Sequence, residues 1–239
     1  MKARRKPPSL DVEAALARQG AEWVVGLDEV GRGALAGPVM VGAVALRSDH
    51  LAELVVPEGL ADSKLLTPAA REGMVQSLEG WAASWAVGSA SNQEIDQWGI
   101  MHALGLAALR ALEHVEGQLE AAGRPLADGG VDAPRIAAIL DGPYDYIGKA
   151  MGTLDAPSLP LYPGVTTKVK ADASCASVAC ASVIAKVTRD RLMVELAQGH
   201  PEYAPYGWER NKGYGSRAHQ EAIARLGPTA YHRLSWHLA

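Results

Sequence analysis

The chain has 239 residues, of which 48% are hydrophobic, and it carries a formal net charge of −4. A chain of this length forms one domain with an ample core, or one domain with a small appendage. No apolar run reaches membrane-spanning length and the N-terminus lacks the apolar core of a signal peptide, so we expect a cytoplasmic protein without a membrane partner. The negative charge argues against nucleic-acid affinity over the whole surface, and any such binding must come from local basic patches.

The N-terminal segment precedes the main domain. Residues 1–8 are basic and contain prolines, which predicts a mobile tail, and residues 11–19 predict a short helix that leads into the first strand. We therefore divide the chain into a basic tail with a short helix (1–20) and one domain (21–239). The basic residues of the tail are Lys2, Arg4, Arg5 and Lys6.

The most informative stretch is an apolar run that ends in two acids and continues into a glycine-rich turn. Residues 23–27 lead directly into Asp28 and Glu29, and Gly31-Arg32-Gly33 follow. This pattern predicts a buried strand whose C-terminal end opens into a ligand crevice. The N–H groups of such a turn form an anion-binding nest, which Arg32 can reinforce as a planar fork for phosphate.

Acids beside a phosphate nest repel the substrate unless a cation intervenes. A divalent metal at Asp28 and Glu29 removes this conflict, so the stretch predicts metal-dependent phosphoester chemistry. The plainer alternative is a solvated acidic loop, which is the commoner fate of an Asp-Glu pair.

Residues 38–134 predict strands and helices that surround this first strand. A lysine in a loop, such as Lys64 in Asp62-Ser63-Lys64, usually faces solvent. The predicted elements are a second strand at 38–46, a helix from Thr67-Pro68, a third strand at 81–90, a capping box at 91–94, a helix with an apolar stripe over 104–119, and a loop at 123–134.

Two further predicted strands end in acids. Residues 135–140 lead into Asp141, and the strand-like segment 165–170 leads to Asp172 just before a predicted helix over 174–198. In one sheet the strand ends at 28, 141 and 172 can be neighbours, although Asp172 could simply cap the helix. The long connection 142–164 either covers a ligand or is a tolerated insertion.

The two cysteines do not indicate a disulfide framework or a zinc site. Cys175 and Cys180 lie five residues apart in the predicted helix, so their side chains project on different sides. We expect both to be small buried hydrophobic residues.

The C-terminal part alternates basic and aromatic residues. Such a pattern suits the backbone and the sugar or base faces of a nucleic acid, although each aromatic residue alone is more often involved in packing. A helix is predicted from Ser216 to Gly227. The basic residues are Arg210, Lys212, Arg217, Arg225 and Arg233, and the aromatic residues are Tyr203, Tyr206, Trp208 and Tyr214.

Several of these segments together resemble ribonuclease HII, a member of the type 2 ribonuclease H family. The matching segments run in the family's order from about Trp23 to Trp236, which is more specific than any single motif. They are D-E-V-G-R-G-A-L-A-G-P at 28–38, D-S-K at 62–64, K-A-D-A-S-C through R-D-R at 170–191, K-G-Y-G at 212–215, and L-G-P-T-A-Y-H-R at 226–233.

The resemblance implies an α/β, ribonuclease H-like fold with a mixed central sheet, flanking helices and a helical substrate-binding part at about 199–239. It implies a monomeric endoribonuclease that hydrolyses the RNA strand of RNA–DNA hybrids and cuts 5′ to ribonucleotides embedded in duplex DNA, leaving 3′-hydroxyl and 5′-phosphate ends. Ribonucleotide excision and primer removal would be its roles.

The expected catalytic and metal-binding residues are Asp28, Glu29, Asp141 and Asp172. We expect them to hold two Mg²⁺ or Mn²⁺ ions roughly 4 Å apart, one activating water and the other stabilising the departing 3′-oxygen. By resemblance, Gly31, Arg32 and Gly33 read the ribonucleotide, Tyr214 packs beside the following sugar, and Lys64 contacts a phosphate.

Three positions depart from the family pattern. Pro143 stands where Asn often follows the Asp-Gly pair, Ala171 replaces the usual Gly, and Asn211 replaces a frequent His. These changes bear on loop geometry and rate, because no carboxylate is lost.

Two rival functions remain. They are another nuclease of the same fold, such as a junction resolvase, and a non-catalytic nucleic-acid-binding module.

Overall fold

The computed structural model describes residues 7–123 and 135–238. The basic side chains predicted to form the tail, and residues 124–134 of the predicted 123–134 loop, lie outside the described residues. Five strands form one mixed sheet in the order β3-β2-β1-β4-β5. The strands are β1 (Trp23–Val30), β2 (Val39–Arg47), β3 (Ser84–Ala90), β4 (Ile136–Asp141) and β5 (Gly164–Lys168).

Helices cover both faces of the sheet, as the expected fold class requires. The long α4 packs on one face and α6 on the other, and this explains why nearly every residue of β1 and β2 is buried. The α-helices are α1 (Asp11–Arg18), α2 (Pro68–Trp81), α3 (Asn92–Trp98), α4 (Ile100–Ala121), α5 (Ile147–Ala150), α6 (Ala176–Gly199), α7 (Trp208–Asn211) and α8 (Arg217–Leu226).

Alternate residues of β1 belong to different halves of the core. Val25 and Leu27 join the cluster that contains the α4 stripe, whereas Val24 packs with Val178 of α6. This is the period-2 alternation of a strand that is buried on both faces. No helix in the described part of the chain has the length and apolar character needed to cross a bilayer.

Two glycines allow α6 to lie directly against the sheet. A Cβ atom added to Gly26 of β1 would lie 2.4 Å from the backbone carbon of Ser177, and one added to Gly42 of β2 would lie 2.5 Å from the carbonyl oxygen of Ala181. Both distances are shorter than any real carbon contact, so the backbone of α6 occupies the space that side chains would need.

The start of α6 is held by the N-terminal segment. Glu13 of α1 is fully buried, and it accepts hydrogen bonds from the backbone N–H (2.9 Å) and the hydroxyl (2.7 Å) of Ser177. The N–H of Ser177 is one of the free donors in the first turn of a helix, so Glu13 caps α6 from a distance in sequence. Ser9 also forms a parallel bridge with Cys175, immediately before α6.

Sequence patterns placed the helix starts well and one strand start badly. Thr67, Ser91 and Ser216 cap α2, α3 and α8, and Ser91 forms the predicted capping box with Glu94. The third strand was predicted to begin at residue 81, which is wrong, because Trp81 is the last residue of α2. The indole N–H of Trp81 donates to the carbonyl of Val55 (2.9 Å), a tertiary contact that no local pattern contains.

Candidate active site

The acids predicted at strand ends lie at one edge of the sheet. β1 and β4 run parallel, and Leu27 and Leu140 are the last residues that pair between them, so Asp28 and Asp141 lie next to each other in sheet register. β1 continues past the predicted strand end to Val30 in its pairing with β2, so Asp28 and Glu29 lie within the strand. Asp172 lies in a short 3₁₀ turn before α6, and the backbone N–H of the preceding Ala171 donates to Oδ1 of Asp141 at 2.6 Å. The topology therefore brings together acids from three distant parts of the sequence.

The electrostatics of Asp28 reflect this crowding. Burial raises the pKa of Asp28 to about 8, a hydrogen bond from Ser182 opposes the rise, and the charges of Asp141 and Asp172 add to it. Burial, followed by the charge of Asp141, also raises the pKa of Asp172. The carboxylates thus destabilise one another's charged forms, which is the condition that a bound cation relieves.

Lys64 lies at the rim of the acid cluster. Its Nζ is 3.5 Å from Oδ2 of Asp172, and its side chain is 72% exposed. Burial lowers the pKa of Lys64, but the carboxylates of Asp28 and Asp172 outweigh burial and leave that pKa raised. Asp62 accepts a hydrogen bond from the backbone N–H of Lys64 (2.9 Å) and fixes the turn that carries it.

Glu29 is held between a cation and a phenol. Nη1 of Arg32 lies 3.1 Å from Oε1 of Glu29, and the hydroxyl of Tyr146 donates to Oε2 at 3.3 Å. Tyr146 is only 2% exposed. Its contact with Glu29 was not predicted, because the sequence places Tyr146 merely within a long connection 117 residues away.

The four acids suit a hard divalent cation by their donor chemistry. Carboxylate oxygens are the ligands that Mg²⁺ and Mn²⁺ prefer. Within the described residues no three acidic, histidine or cysteine side chains are already gathered around one point. Each carboxylate is in contact with another protein group. The N–H of Glu29 donates to Asp28 (2.9 Å) and the N–H of Ala171 donates to Asp141, while Arg32 pairs with Glu29 and Lys64 with Asp172.

A cleft of about 420 Å³ joins the acids to the glycine-rich turn. Seven of the nine predicted site residues line it, whereas Asp141 and Asp172 adjoin Asp28 without lining the cleft. Lys186 and Ser182 of α6 line the same cleft and were not singled out from the sequence. The seven are Asp28, Glu29, Gly31, Arg32, Gly33, Lys64 and Tyr214.

The glycine-rich turn and Tyr214 form one unit. Gly31 has φ +82°, a conformation that favours glycine, and its N–H donates to the hydroxyl of Tyr214 at 3.1 Å. Ala34 and Tyr214 form an isolated bridge that holds the two segments side by side. Within residues 7–123 and 135–238 no hydrogen bond uses the N–H of Arg32 or Gly33, so both donors remain for a ligand.

Two fully buried arginines hold the glycine-rich segment 31–38 by hydrogen bonds to its backbone carbonyls. Arg189 of α6 donates to the carbonyls of Ala36 (3.0 Å), Pro38 (2.9 Å) and Lys212 (2.9 Å). Arg233 donates to the carbonyls of Gly31 (2.7 Å), Arg32 (2.9 Å) and Gly37 (3.1 Å). The planar fork of each guanidinium matches several carbonyls at once, which a lysine cannot do.

The position of Arg233 corrects a prediction. The sequence pattern counted it among basic residues facing a nucleic acid, but the side chain is fully buried, and burial lowers its pKa. Trp208 and Tyr206 are likewise buried in the C-terminal core. Alternation of basic and aromatic residues could not reveal this, because it does not distinguish an arginine that binds backbone carbonyls from one that binds phosphate.

A buried histidine pair fixes the segment that carries Tyr214. His219 Nδ1 lies 2.9 Å from the carbonyl of Tyr214, and its Nε2 lies 3.1 Å from Nε2 of His232. The indole N–H of Trp208 also donates to Nε2 of His219 (3.1 Å). Burial lowers the pKa of both histidines, that of His232 to about 4, so the pair is neutral near pH 7.

Two of the three departures from the family pattern fit the structure without strain. Lys170, and not Ala171, adopts the left-handed conformation (φ +60°), so position 171 does not need glycine. Asn211 donates to the carbonyl of Tyr206 (2.7 Å) and accepts from the N–H of Gly213 (2.8 Å), and it thereby supports the turn before Tyr214. Nothing in the structure explains Pro143.

The sheet order and the acids at its edge define an enzyme of the ribonuclease H-like fold, and solved structures agree. The ribonuclease H2 from Pyrococcus horikoshii OT3 superimposes with a TM-score of 0.58 at 26% identity, covering 91% of this chain and 95% of that one. Bst-RNase HIII in complex with Mn²⁺ matches in fold with a TM-score of 0.66 at 22% identity, covering 93% of this chain and 70% of that one.

Sequence comparison identifies the family. The model for ribonuclease HII matches residues 25–129 and 147–239. The ribonuclease HII of Streptomyces griseus is 44% identical over 97% of this chain and 84% of its own length, and that of Paracoccus denitrificans is 41% identical over 96% and 91%. The chain belongs to the ribonuclease HII family and is a hydrolytic endoribonuclease.

Proposed function

We propose that the chain hydrolyses the RNA strand of RNA–DNA hybrids and also cuts 5′ to ribonucleotides embedded in duplex DNA, leaving 3′-hydroxyl and 5′-phosphate ends. The observation that carries this proposal is the cleft that joins Asp28 and Glu29 to Gly31-Arg32-Gly33 and Tyr214. A cleft of this composition can bind the phosphate, the sugar and the cations of one nucleotide step.

Asp28, Glu29, Asp141 and Asp172 are the residues that would hold two Mg²⁺ or Mn²⁺ ions. When bound, such ions acidify a water and stabilise the departing 3′-oxygen. Burial, and after it the charges of the neighbouring carboxylates, raises the pKa of Asp28 and Asp172, and this supports the assignment. A cation binds the ionised carboxylates, so its binding should displace protons from Asp28 and Asp172.

Discrimination of ribose from deoxyribose falls to the turn and Tyr214. The 2′-hydroxyl is the group that distinguishes RNA from DNA, and it can both donate and accept. The unused N–H groups of Arg32 and Gly33 supply donors beside the cleft, and the Tyr214 hydroxyl is coupled to the same turn through the N–H of Gly31. We assign the ribose to this unit and the sugar of the next nucleotide to the ring of Tyr214.

Lys64 and Arg32 are assigned to the phosphates. Both side chains are exposed enough to reach a ligand, and each is now paired with a carboxylate of the site. A phosphate and a cation arriving together would replace these internal pairs without leaving a charge unpartnered. We propose that the partners are RNA–DNA hybrids and ribonucleotide-bearing duplexes. We also propose that the enzyme is monomeric and cytoplasmic, and that its roles are ribonucleotide excision and primer removal.

The test uses a DNA duplex that carries a single ribonucleotide and a matched all-DNA duplex, each with Mg²⁺, Mn²⁺ or EDTA. We expect metal-dependent cutting 5′ to the ribonucleotide, no cutting of the all-DNA duplex, and a loss of at least 100-fold in rate for Asp28→Asn, which removes one charged ligand.

Each rival predicts a different result. Another nuclease of this fold, such as a junction resolvase, would cut the all-DNA substrate as readily as the ribonucleotide-bearing duplex. A non-catalytic binding module would bind both duplexes and cut neither, and Asp28→Asn would leave its binding unchanged. Cutting in the presence of EDTA would contradict the metal assignment while leaving the substrate assignment in place.

A further inference from the structure

The connection between β4 and β5 contributes a side chain to the acid cluster. Tyr146 is the residue immediately before α5 and lies outside the two ranges that the family model matches. Its ring belongs to the main hydrophobic core on the α4 side of the sheet, and its hydroxyl lies 3.3 Å from Oε2 of Glu29. The phenol ring thus lies in the core, and its hydroxyl reaches the carboxylate of Glu29.

The backbone of this connection is fixed on α4, so the phenol has a defined position. A Cβ atom added to Gly105 of α4 would lie 2.5 Å from the carbonyl oxygen of Tyr146, which means that the two backbones touch. Further along the connection, Glu116 of α4 accepts a hydrogen bond from the N–H of Leu161 (3.1 Å), and His102 of α4 lies 2.8 Å from Asp155.

The two partners of Glu29 differ in their freedom to leave. The side chain of Arg32 is 45% exposed and lies beside the cleft, where our assignment has it bind a phosphate. Tyr146 is only 2% exposed and its backbone packs against Gly105 of α4, so the phenol cannot turn away from the site, and a phenol ordinarily keeps its proton near pH 7. A protonated phenol can only donate to a carboxylate, so this contact persists when Arg32 turns to the substrate.

We infer that Tyr146 is a positioning residue: its hydroxyl orients the carboxylate of Glu29 for a divalent cation and leaves Arg32 free to engage the nucleic acid. This inference rests on the proposed function, since it takes Glu29 to be a cation ligand. Hydrogen bonds to ligating carboxylates commonly control cation affinity by 10- to 100-fold.

The test measures Mn²⁺ binding by isothermal titration calorimetry in the absence of nucleic acid. Tyr146→Phe removes the hydroxyl and keeps the buried ring, and we expect Mn²⁺ to bind about tenfold more weakly. Tyr144→Phe is the matched control, because Tyr144 belongs to the same connection and is 58% exposed. We expect the affinity of the control variant to equal that of the wild type.

A second measurement separates positioning from a general loss of structure. In a Glu29→Gln background Tyr146→Phe should cause no further loss of Mn²⁺ affinity, because the carboxylate that the phenol orients is gone. An equal loss in both backgrounds would indicate a structural effect and overturn the inference, and so would an unchanged affinity in the single variant.

The cleavage assay gives an independent readout. For Tyr146→Phe the Mn²⁺ concentration for half-maximal cutting should rise by the same factor of about ten, while the rate at saturating Mn²⁺ is retained. If the wild type binds Mn²⁺ but cuts no ribonucleotide-bearing duplex, the proposed function fails while the calorimetric comparison still tests Tyr146.

Discussion

Tyr214 is the side chain through which the C-terminal part acts on the glycine-rich turn. Its hydroxyl accepts the N–H of Gly31, and its ring lies 5.3 Å from the guanidinium carbon of Arg189 and 5.5 Å from Nζ of Lys186. Cations at this distance from an aromatic ring are attracted to its face. The tyrosine is therefore oriented from two sides before any ligand arrives.

We expect Tyr214→Phe to weaken recognition of the ribonucleotide. Loss of one neutral hydrogen bond costs about 1 kcal/mol, or a factor of about five in kcat/KM. The measurement is cleavage kinetics on the single-ribonucleotide duplex, with Tyr162→Phe as the control at an exposed position. Equal kcat/KM values for Tyr214→Phe and the wild type would show that the hydroxyl has no part in recognition.

The contribution of the Lys64 charge to nucleic-acid binding can be tested by itself. We expect Lys64→Met to weaken binding of all duplexes similarly and to reduce the slope of log affinity against log salt by about 1, as for one lost phosphate contact. Arg47 pairs with Trp23 at the opposite end of β1, so Arg47→Met should leave the slope unchanged. A Lys64→Met slope equal to that of the wild type would remove Lys64 from the phosphate contacts.

At the scale of elements, the contact between α6 and β1 determines where Asp172 lies relative to Asp28. We expect Gly26→Ala to destabilise the fold by about 1–3 kcal/mol, because the added carbon overlaps the backbone of Ser177. Urea unfolding measures this change. Gly73→Ala in α2 is the matched control: nothing lies within 4 Å of its added carbon, and alanine should stabilise that helix slightly.

If the free energy of unfolding of Gly26→Ala equalled that of the wild type, α6 could move away from β1 without loss of stability. The close contact between α6 and β1 would then not be needed for the fold. Activity should fall together with stability, because displacement of α6 also displaces the turn that carries Asp172. Gly73→Ala should retain full activity.

The buried histidine pair makes the stability of the C-terminal part depend on pH. The pKa of His232 is about 4 in the folded chain and near 6.5 when unfolded, so the unfolded state binds more protons between these values. The contribution is fully present above pH 6.5 and is lost as the pH falls towards 4, by up to about 3 kcal/mol.

Chemical unfolding at pH 7 and pH 4.5 tests this pH dependence by comparison of variants. We expect the loss of stability on acidification to be smaller in His232→Gln than in the wild type, because the substituted side chain does not titrate. His114→Gln, at an exposed position on α4, should behave as the wild type. An unchanged loss in His232→Gln would mean that other groups account for the acid sensitivity.

At the scale of the whole molecule, the strand-end acids could be predicted because their signal is local. An apolar run in the sequence that gives way to Asp28 or Asp141 can be seen without knowledge of the rest of the fold, and the parallel pairing of β1 and β4 then brings these acids together. Helix caps such as Ser91 are local in the same sense. The ribonuclease HII resemblance supplied the rest of the candidate site, including Lys64 and Tyr214.

The supporting residues could not be predicted, because their partners are distant in sequence. Nothing in the sequence marks Arg189 and Arg233 as buried. Only the folded chain shows that Arg189 binds the carbonyl of Ala36, shortly after the turn, and that Arg233 binds the carbonyl of Gly31 within it. Tyr146, in the connection before α5, likewise contacts Glu29 of β1, which is 117 residues away in sequence. The sequence therefore yields the candidate carboxylates more readily than it yields the residues that contact and orient them.

The support that Arg233 gives to the turn also has a consequence for biosynthesis. Gly31 and Arg233 are 202 residues apart, so the turn leaves the ribosome long before its buried guanidinium exists. A translation product that stops after Asp172 already contains all four acids, yet it lacks both arginines beneath the turn. The guanidinium that holds the carbonyl of Gly31 is therefore added only near the end of synthesis.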